Sequence, residues 1–242
     1  RIEKKVFRDV DYVNNVSEIW KQKYETFYPE INSKSSLIHN GYDEDDFIGL
    51  EIKKRNTIFT ICYNGTFSRV VPIEPLISAI IEIHQRHNIP ICLSIATPTK
   101  KEKLLSRYNY LFQNNLIDYK GFLPHRESLK NVYQSDISAL ILNDSKVTEG
   151  MLPAKTFEYL RVGNPILLLH RKESFLAKII EKTKTGITVN IKNQDEIIRS
   201  LLMLYEKWRQ NEQIHHPDWD EIKKYERKHL TKQLADIFNK FT

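Results

Sequence analysis

The sequence predicts an α/β protein in which a parallel β-sheet carries helices on both faces. Short apolar runs rich in β-branched residues alternate with longer segments whose apolar residues recur at helical spacing. The short runs are apolar at consecutive positions, which is typical of strands buried on both faces of a parallel sheet. A short N-terminal segment precedes this alternation, and two long helices are predicted to follow it.

The first 51 residues are predicted to hold a short strand, a helix and a boundary loop. Residues 11–17 favour a strand, and residues 18–28 favour an amphipathic helix that ends at Pro29. Residues 40–51 are acidic and rich in turn-forming residues, which is typical of a boundary between domains.

Six strands and five helices are predicted to alternate after this loop. The strands are residues 57–63, 91–95, 117–120, 137–142, 166–169 and 187–189. The helices between them are residues 73–87, 101–114, 126–133, 153–162 and 174–183. Ligands of such sheets bind beyond the carboxyl ends of the strands, so we expect the functional site there.

The C-terminal part is predicted to form two long helices, residues 194–212 and 220–241. The run between them, residues 215–218, reads His-His-Pro-Asp. Two histidines and an aspartate could bind a metal ion, but no further ligand lies nearby in sequence. Pro217 and Asp218 are also ordinary residues at the start of a helix, so we expect no metal site.

Residues 149–165 form the most informative segment of the chain. A glycine-containing loop leads into Pro153, which suits the first turn of a helix because its missing N–H was unpaired there anyway. Lys155 then falls in that first turn, and Glu158 follows on the same face. A helix N-terminus beside a lysine can hold a phosphate, and a carboxylate one turn later can accept hydrogen bonds from two sugar hydroxyls. This pattern predicts a site for a nucleotide that carries a diphosphate and a ribose.

A surface helix with an ion pair between Lys155 and Glu158, three residues apart, would show the same residues, and this alternative stays open.

A second candidate phosphate element, Gly65, Thr66 and Arg69, follows the first strand of the sheet. The glycine permits close approach of the backbone, and the guanidinium can donate two hydrogen bonds to phosphate. An ordinary strand-to-helix turn is the alternative here. Phe122 could stack on a nucleobase, although a place in the core is favoured.

The charge balance excludes some functions. The chain has 37 basic and 31 acidic residues, a net charge of +6, which suits phosphate-bearing substrates or an anionic membrane surface. Basic residues are not interleaved with aromatics in a pattern typical of nucleic-acid binding, so we expect no nucleic acid partner.

Cys62 and Cys92 lack metal-ligand spacing, which favours a reducing, cytoplasmic setting. No apolar stretch reaches the roughly 20 residues of a membrane span.

Four segments together resemble a known family. Residues 153–165 resemble the signature Pro-Ser-Lys-x-x-Glu-Tyr-(x)4-Gly-x-Pro of GT-B glycosyltransferases related to glycosyltransferase family 4, with Ala154 in the serine position. Residues 36–47, 58–79 and 118–142 resemble further family segments in the same order. The resemblance covers most of the chain and implies the C-terminal half of a GT-B fold, with a Rossmann-like sheet.

The resemblance also implies a domain division. Residues 1–36 would be the tail of an N-terminal acceptor domain, residues 37–217 a donor-binding domain, and residues 218–242 a helix that crosses back. The chain would then be a fragment of a longer enzyme, which binds donor but turns nothing over alone. The helix that carries Trp20 and Lys23 could face the absent domain, contact the inner face of a membrane, or form a homodimer.

The family carries two glutamates eight residues apart, the first on the donor sugar and the second on the ribose. Glu158 matches the second, whereas Glu149 lies nine residues before it, so an insertion could point it elsewhere. We expect Glu149 and Lys155 to be the catalytic residues. The residues expected to bind the donor are Gly65, Thr66, Arg69, Phe122, Gly150, Met151, Leu152, Pro153, Lys155 and Glu158.

The implied reaction is transfer of a sugar from a UDP-sugar or GDP-sugar to a glycan or lipid-linked acceptor, with retention of anomeric configuration. No metal ion or other cofactor is implied. Two alternatives stay open: a sugar-nucleotide epimerase with the same architecture, and a non-catalytic lobe that binds nucleotide-sugars.

Overall fold

The structure, a computed structural model, describes residues 2–50 and 56–241; the last residue of the predicted boundary loop, Glu51, lies outside them. The described strands are β1 (Val13–Asn15), β2 (Ser35–Leu37), β3 (Phe59–Asn64), β4 (Ile91–Ala96), β5 (Ile117–Gly121), β6 (Ile137–Ile141), β7 (Ile166–His170) and β8 (Gly186–Asn190). All six strands predicted after the boundary loop are therefore present.

The α-helices are α1 (Ile2–Asp9), α2 (Glu18–Phe27), α3 (Glu74–His87), α4 (Lys101–Arg107), α5 (Asn109–Gln113), α6 (His125–Gln134), α7 (Lys155–Val162), α8 (Phe175–Lys182), α9 (Gln194–Arg209), α10 (Trp219–Lys223) and α11 (Arg227–Phe238). Two short 3₁₀ helices, Pro29–Lys34 and Glu44–Phe47, lie in the N-terminal segment and the loop after it. None of the described helices is both long enough and apolar enough to cross a membrane.

Strands β3 to β8 form one parallel sheet in the order β5-β4-β3-β6-β7-β8. The sheet begins with β3 near its middle. The chain then adds β4 and β5 on one side of β3, and returns to add β6, β7 and β8 on the other side. Such a reversal of strand order creates a crevice at the carboxyl ends of the central strands, where ligands bind in open α/β sheets.

Alternation along β7 shows how the sheet divides the core. Leu167 and Leu169 pack in one apolar cluster with residues of α3 and α9. Ile166 and Leu168 pack in a second cluster with residues of α7 and α8 on the opposite face. Because successive side chains of a strand point to opposite faces, a run that is apolar at every position is buried on both sides. The predicted fold class, a parallel sheet with helices on both faces, is confirmed.

Two predicted helices are wrong in length because each is interrupted by a break. The helix predicted over 101–114 breaks at Tyr108, which leaves helical geometry with φ −128° and ψ 41°. The helix predicted over 220–241 breaks after α10. There the Tyr225 carbonyl accepts from the Tyr42 N–H at 3.0 Å, and the Arg227 N–H donates to the Tyr42 carbonyl at 2.8 Å. These backbone bonds to a distant residue compete with continuation of the helix.

The N-terminal segment forms a small unit against the main sheet. Strands β1 and β2 pair in parallel, and α2 connects them. Leu230 and Ile237 of α11 pack against Ile38 and Tyr12, so the end of the chain returns to this segment. The predicted boundary between residues 36 and 37 falls inside β2, and the division into three domains stays a prediction.

Candidate functional site

A cleft of about 370 Å³ opens at the carboxyl ends of β3, β4 and β5. The loops after these three strands line it, together with Ser128 of α6 and the first turns of α7. Five of its lining residues are among the candidate donor-binding residues, namely Gly65, Thr66, Phe122, Lys155 and Glu158. The sheet therefore brings together residues that lie up to 93 positions apart in the sequence (Gly65 to Glu158).

Lys155, the first residue of α7, points toward the end of β3. Its Nζ donates a hydrogen bond to the Asn64 carbonyl at 3.0 Å and lies 4.3 Å from the centre of the Tyr63 ring. Burial disfavours the charged form of the amine and lowers the pKa of Lys155 to about 8. An ammonium group has three protons to donate, so an anion in the cleft could both bind Lys155 and restore its charge.

Gly65 leaves space beside this ammonium group. Its backbone has φ +140°, a conformation that L side chains rarely adopt, and a Cβ atom there would lie 3.3 Å from Lys155 Nζ. A glycine is therefore required both for the turn after β3 and for the open space in front of the amine.

The start of α7 differs from the prediction. The helix begins at Lys155, and Pro153 lies before it rather than in its first turn. The Thr156 N–H donates to the Pro153 carbonyl at 2.9 Å, and the Phe157 N–H donates to the Ala154 carbonyl at 3.1 Å. This tight turn satisfies two of the N–H groups that a helix N-terminus otherwise offers to an anion. Anion binding here depends on the Lys155 side chain more than on the backbone.

Glu158 stands one turn along α7, at the rim of the same cleft. One carboxylate oxygen, Oε1, lies 2.9 Å from Nε2 of His125, the first residue of α6. The other imidazole nitrogen lies 3.9 Å from an Asp46 carboxylate oxygen. His125 is thus placed between two carboxylates and orients the Glu158 side chain, while Oε2 of Glu158 can accept hydrogen bonds from a ligand.

A buried polar network forms the floor beneath Lys155. The Asn64 side-chain amide donates to the Ser128 carbonyl and hydroxyl, both at 2.8 Å, and its oxygen accepts from Asn131 at 2.9 Å. Ser94 in turn donates to Asn131 at 2.7 Å. Because buried polar groups without partners are costly, this network fixes the end of β3 and the carbonyl that holds Lys155.

Arg69 lies in a different cleft, of about 320 Å³, with Lys103 and Arg107 among its lining residues. The structure therefore does not bring Arg69 to the cleft of Lys155 and Glu158.

Phe122 was favoured as a core residue, and that interpretation is wrong: its side chain is 76% exposed at the edge of the 370 Å³ cleft. An exposed aromatic ring beside a cleft is available for stacking.

The loop of residues 149–153 lies outside the lining of the 370 Å³ cleft. Met151 and Leu152 pack into the apolar cluster around α7 and α8, and Gly150 is buried against Trp20. Glu149 pairs with Lys23 at 3.3 Å and lies 3.9 Å from Arg171. The loop thus faces the N-terminal segment, and its assigned contacts with a donor stay predictions.

Sequence reasoning did not single out Thr97 and Pro98, which follow β4, or Ser128 on α6. The general rule that ligands bind at the carboxyl ends of strands could have included Thr97, since it lies two residues after the predicted strand 91–95. Ser128 carries no signal in the sequence, because its place depends on the packing of α6 against β3.

A larger cleft, of about 590 Å³, lies at the opposite edge of the sheet, where β6 and β7 begin. His215 is among its lining residues, and its Nε2 lies 2.9 Å from the Gly163 carbonyl. Asp218 caps α10 by accepting from the Glu221 N–H at 3.2 Å. Within the described residues, no group of three or more His, Cys, Asp or Glu side chains is placed to hold a metal ion.

No protein-family model matches the sequence, and no curated protein is recognisably similar to it. Solved structures are similar in fold. The sucrose-phosphate synthase of Thermosynechococcus elongatus superposes with a TM-score of 0.71 at 13% identity, over 99% of this chain and 60% of that one. A glycosyltransferase from Rickettsia africae gives 0.72 at 12% identity, over 99% and 67%.

The Anabaena protein HepE, in complex with UDP and glucose, gives a TM-score of 0.70 at 12% identity, over 99% of this chain and 66% of that one. The chain therefore spans about three fifths to two thirds of the length of these structures. At such low identity the likeness establishes the fold. The chain has the Rossmann-like α/β fold found in GT-B glycosyltransferases, as the sequence predicted.

Proposed function

We propose that this chain is the donor-binding part of a glycosyltransferase and binds the nucleoside diphosphate of a nucleotide-sugar in the 370 Å³ cleft. One observation carries the proposal. Within a fold shared with glycosyltransferases, Lys155, Glu158 and the Gly65 turn meet in one cleft at the carboxyl edge of the sheet. A cation, a carboxylate and an open backbone turn at this edge suit a diphosphate and a ribose.

Lys155 is proposed to stabilise the leaving group. When the bond between sugar and diphosphate breaks, negative charge grows on the distal phosphate. An ammonium group already fixed by the Asn64 carbonyl stands ready to neutralise that charge without rearrangement. The open space beside Gly65 would admit the phosphate oxygens. In this proposal Lys155 supplies the positive charge that could replace a metal ion at the diphosphate, and no metal is proposed.

Glu158 is proposed to bind the ribose. Its free oxygen can accept from the two ribose hydroxyls, while His125 holds the other oxygen in place. The exposed ring of Phe122 is proposed to stack on the nucleobase, since every base offers an aromatic face. These assignments place the diphosphate, ribose and base along one cleft. They leave the base open between uracil and guanine.

The proposed reaction transfers the sugar to a hydroxyl of a glycan or lipid-linked acceptor, with retention of configuration. The similar structures are longer than this chain, and acceptor binding is proposed to need a second domain. The proposed setting is the cytoplasm, where the acceptor could be presented at the inner face of a membrane. Glu149 remains the candidate for contact with the donor sugar.

Calorimetric titration with UDP and GDP tests the proposal. We expect one of the two to bind, and Lys155→Ala to weaken binding by about 10- to 100-fold, because it removes a charged hydrogen bond. Glu158→Ala should weaken it by about tenfold or more for the same reason. Lys182→Ala is the control, since Lys182 pairs with Glu221 at the opposite edge of the sheet. Absence of binding by both nucleotides at millimolar concentration would contradict the proposal.

Two other functions make different predictions with the same architecture. An epimerase would convert the sugar of the donor in the absence of any acceptor. A non-catalytic lobe would bind the nucleotide-sugar and show no turnover when a longer chain that includes the acceptor domain is supplied with glycan acceptors. Assay of that longer protein with and without acceptor separates the three functions.

A further inference from the structure

Helix α2 of the N-terminal segment packs on the loop that joins β6 to α7. The indole ring of Trp20 lies against Gly150, where a Cβ atom would come within 2.8 Å of two ring atoms. Any side chain at position 150 would therefore push α2 away, and the glycine permits the close contact. Gly150 and Ser17, the residue before α2, are both buried at this contact, and Trp20 is partly buried.

The same contact brings a lysine of α2 to Glu149. Lys23 Nζ donates to Glu149 Oε2 over 3.3 Å, while Oε1 of Glu149 lies 3.9 Å from Arg171 Nη1. The ammonium group of Lys23 also lies 4.8 Å from the centre of the Trp20 ring. Each carboxylate oxygen thus faces a different cation, and this pairing fixes the direction of the carboxylate.

Arg171 anchors this chain of ion pairs to the sheet. It directly follows β7, donates to the Ser145 carbonyl at 3.1 Å, and lies 3.1 Å from an Asp144 carboxylate oxygen. Asp144 also accepts from Lys192, just beyond β8, at 2.7 Å. The chain of charges therefore connects α2 to the carboxyl edge of the sheet, which is the edge at which the 370 Å³ cleft opens.

Glu149 keeps capacity for a ligand in this arrangement. Its side chain is 35% exposed, and a carboxylate can accept about four hydrogen bonds. The residue lies in the loop that ends at Lys155, the proposed diphosphate ligand. Through Arg171, which directly follows β7, Glu149 is also held on the side of the sheet where the strands end and the 370 Å³ cleft opens.

We propose that Lys23 is a positioning residue of the donor site, which directs the Glu149 carboxylate toward the sugar of a nucleotide diphosphate-sugar. This inference rests on the proposed function. Lys23 does not touch the sugar; it acts through Glu149, and Trp20 keeps α2 close enough for it to do so. The N-terminal segment thereby completes the sugar side of a site whose nucleotide side is built by the main sheet.

The test compares the binding of a nucleoside diphosphate with that of its nucleotide-sugars, by calorimetry on the whole chain. The probes are UDP with UDP-glucose and UDP-N-acetylglucosamine, or GDP with GDP-mannose, according to which nucleotide binds. We expect Lys23→Met to weaken binding of the tightest nucleotide-sugar by up to about fivefold, the contribution of a half-exposed ion pair. Binding of the nucleoside diphosphate alone should not change.

Glu149→Gln should weaken the nucleotide-sugar by more than Lys23→Met does, because it alters the group that touches the sugar. The double variant should bind no more weakly than Glu149→Gln alone, since Lys23 acts only through Glu149. Lys23→Arg should restore binding. Lys21→Met is the matched control: it removes the same charge from the same helix, but Lys21 pairs with Glu25 at 2.8 Å. Circular dichroism confirms that each variant is folded.

Equal weakening of nucleotide and nucleotide-sugar by Lys23→Met would overturn the inference, as would an unchanged nucleotide-sugar affinity or an equal effect of Lys21→Met. Additive effects of the two substitutions would also overturn it. If the nucleoside diphosphate itself does not bind to the unmodified chain, the proposed function fails first and the inference fails with it.

Discussion

At the scale of single residues, Lys155 makes the most specific prediction, because its charge depends on the pH. Its pKa in the folded protein is about 8, below the ordinary value of 10.5, so the amine is neutral in the free cleft above pH 8. A diphosphate binds the charged form. We therefore expect nucleotide affinity to fall as the pH rises above 8, by up to about tenfold per pH unit. Titration calorimetry from pH 7 to 9.5 measures this slope.

The pH dependence of nucleotide affinity should disappear in Lys155→Met, because that variant has no amine to titrate. A dependence that persists in this variant would show that another group is responsible.

The same pKa predicts the opposite trend for stability. Between pH 8 and about 10.5 the unfolded chain binds the proton that the folded chain has lost, so this residue makes the free energy of unfolding rise with pH.

Gly65 provides a second test at this scale. Gly65→Ala would strain the backbone at φ +140° and place a methyl group 3.3 Å from Lys155 Nζ. We expect it to lower the free energy of unfolding by about 1–3 kcal/mol and to weaken nucleotide binding. Gly49→Ala is the control, since Gly49 also has positive φ but its added Cβ would approach Arg126 instead. Equal effects of both variants on binding would contradict a specific role for Gly65.

At the scale of the elements, α7 ends where α10 begins to pack. Gly163 closes α7 in the left-handed conformation at φ 77°, and a Cβ atom there would lie 2.7 Å from the Trp219 ring. We expect Gly163→Ala to lower the free energy of unfolding by about 1–3 kcal/mol, through strain and clash together. Nucleotide affinity should stay unchanged, because the ligand side chains lie at the other end of α7.

The clash and the strain can be separated. In a Trp219→Ala background the added methyl group has room, so Gly163→Ala should then cost only the backbone strain. Thermal unfolding of the four proteins gives this coupling. An equal cost in both backgrounds would mean that α10 moves freely at this contact and does not hold the end of α7.

The strands could be predicted from the sequence alone, whereas the breaks in two helices could not. Six strands were predicted because buried parallel strands are apolar at consecutive positions, and this signal is local. The breaks at Tyr108 and after α10 could not be predicted in the same way. At the second of them the chain leaves the helix to bond with Tyr42, a residue more than 180 positions away. No local pattern reports such a contact.

The candidate site likewise has features that the sequence could predict and features that depend on tertiary packing. The proximity of Gly65 to Lys155 follows from the rule that ligand-binding loops gather at the carboxyl ends of strands. The separation of Arg69 from that cleft depends on the path of the turn after β3, and the pairing of Glu149 with Lys23 depends on the packing of α2. Both are tertiary features, although the added residue between Glu149 and Glu158 already indicated that Glu149 could point elsewhere.

At the scale of the whole molecule, the predicted homodimer is a separate question. The aromatic residues of α2, Trp20, Tyr24 and Phe27, form a stripe on the helix. Two of them pack within the chain: Trp20 lies against Gly150, and the ring centre of Tyr24 lies 5.0 Å from that of Phe7. Phe27 is the exposed member, at 72%. If the stripe drives dimerisation it does so through Phe27, and Phe27→Ser should then convert a dimer to a monomer in size-exclusion chromatography. A dimer that persists in this variant would place the interface elsewhere.

The central claim is that one cleft of this molecule holds a nucleoside diphosphate, and a crystal structure with the tighter-binding of UDP and GDP tests it most directly. We predict that the distal phosphate lies within hydrogen-bonding distance of Lys155 Nζ, and that a ribose hydroxyl donates to Glu158. Density for the nucleotide beside Arg69, or in the 590 Å³ cleft at the opposite edge of the sheet, would contradict the account.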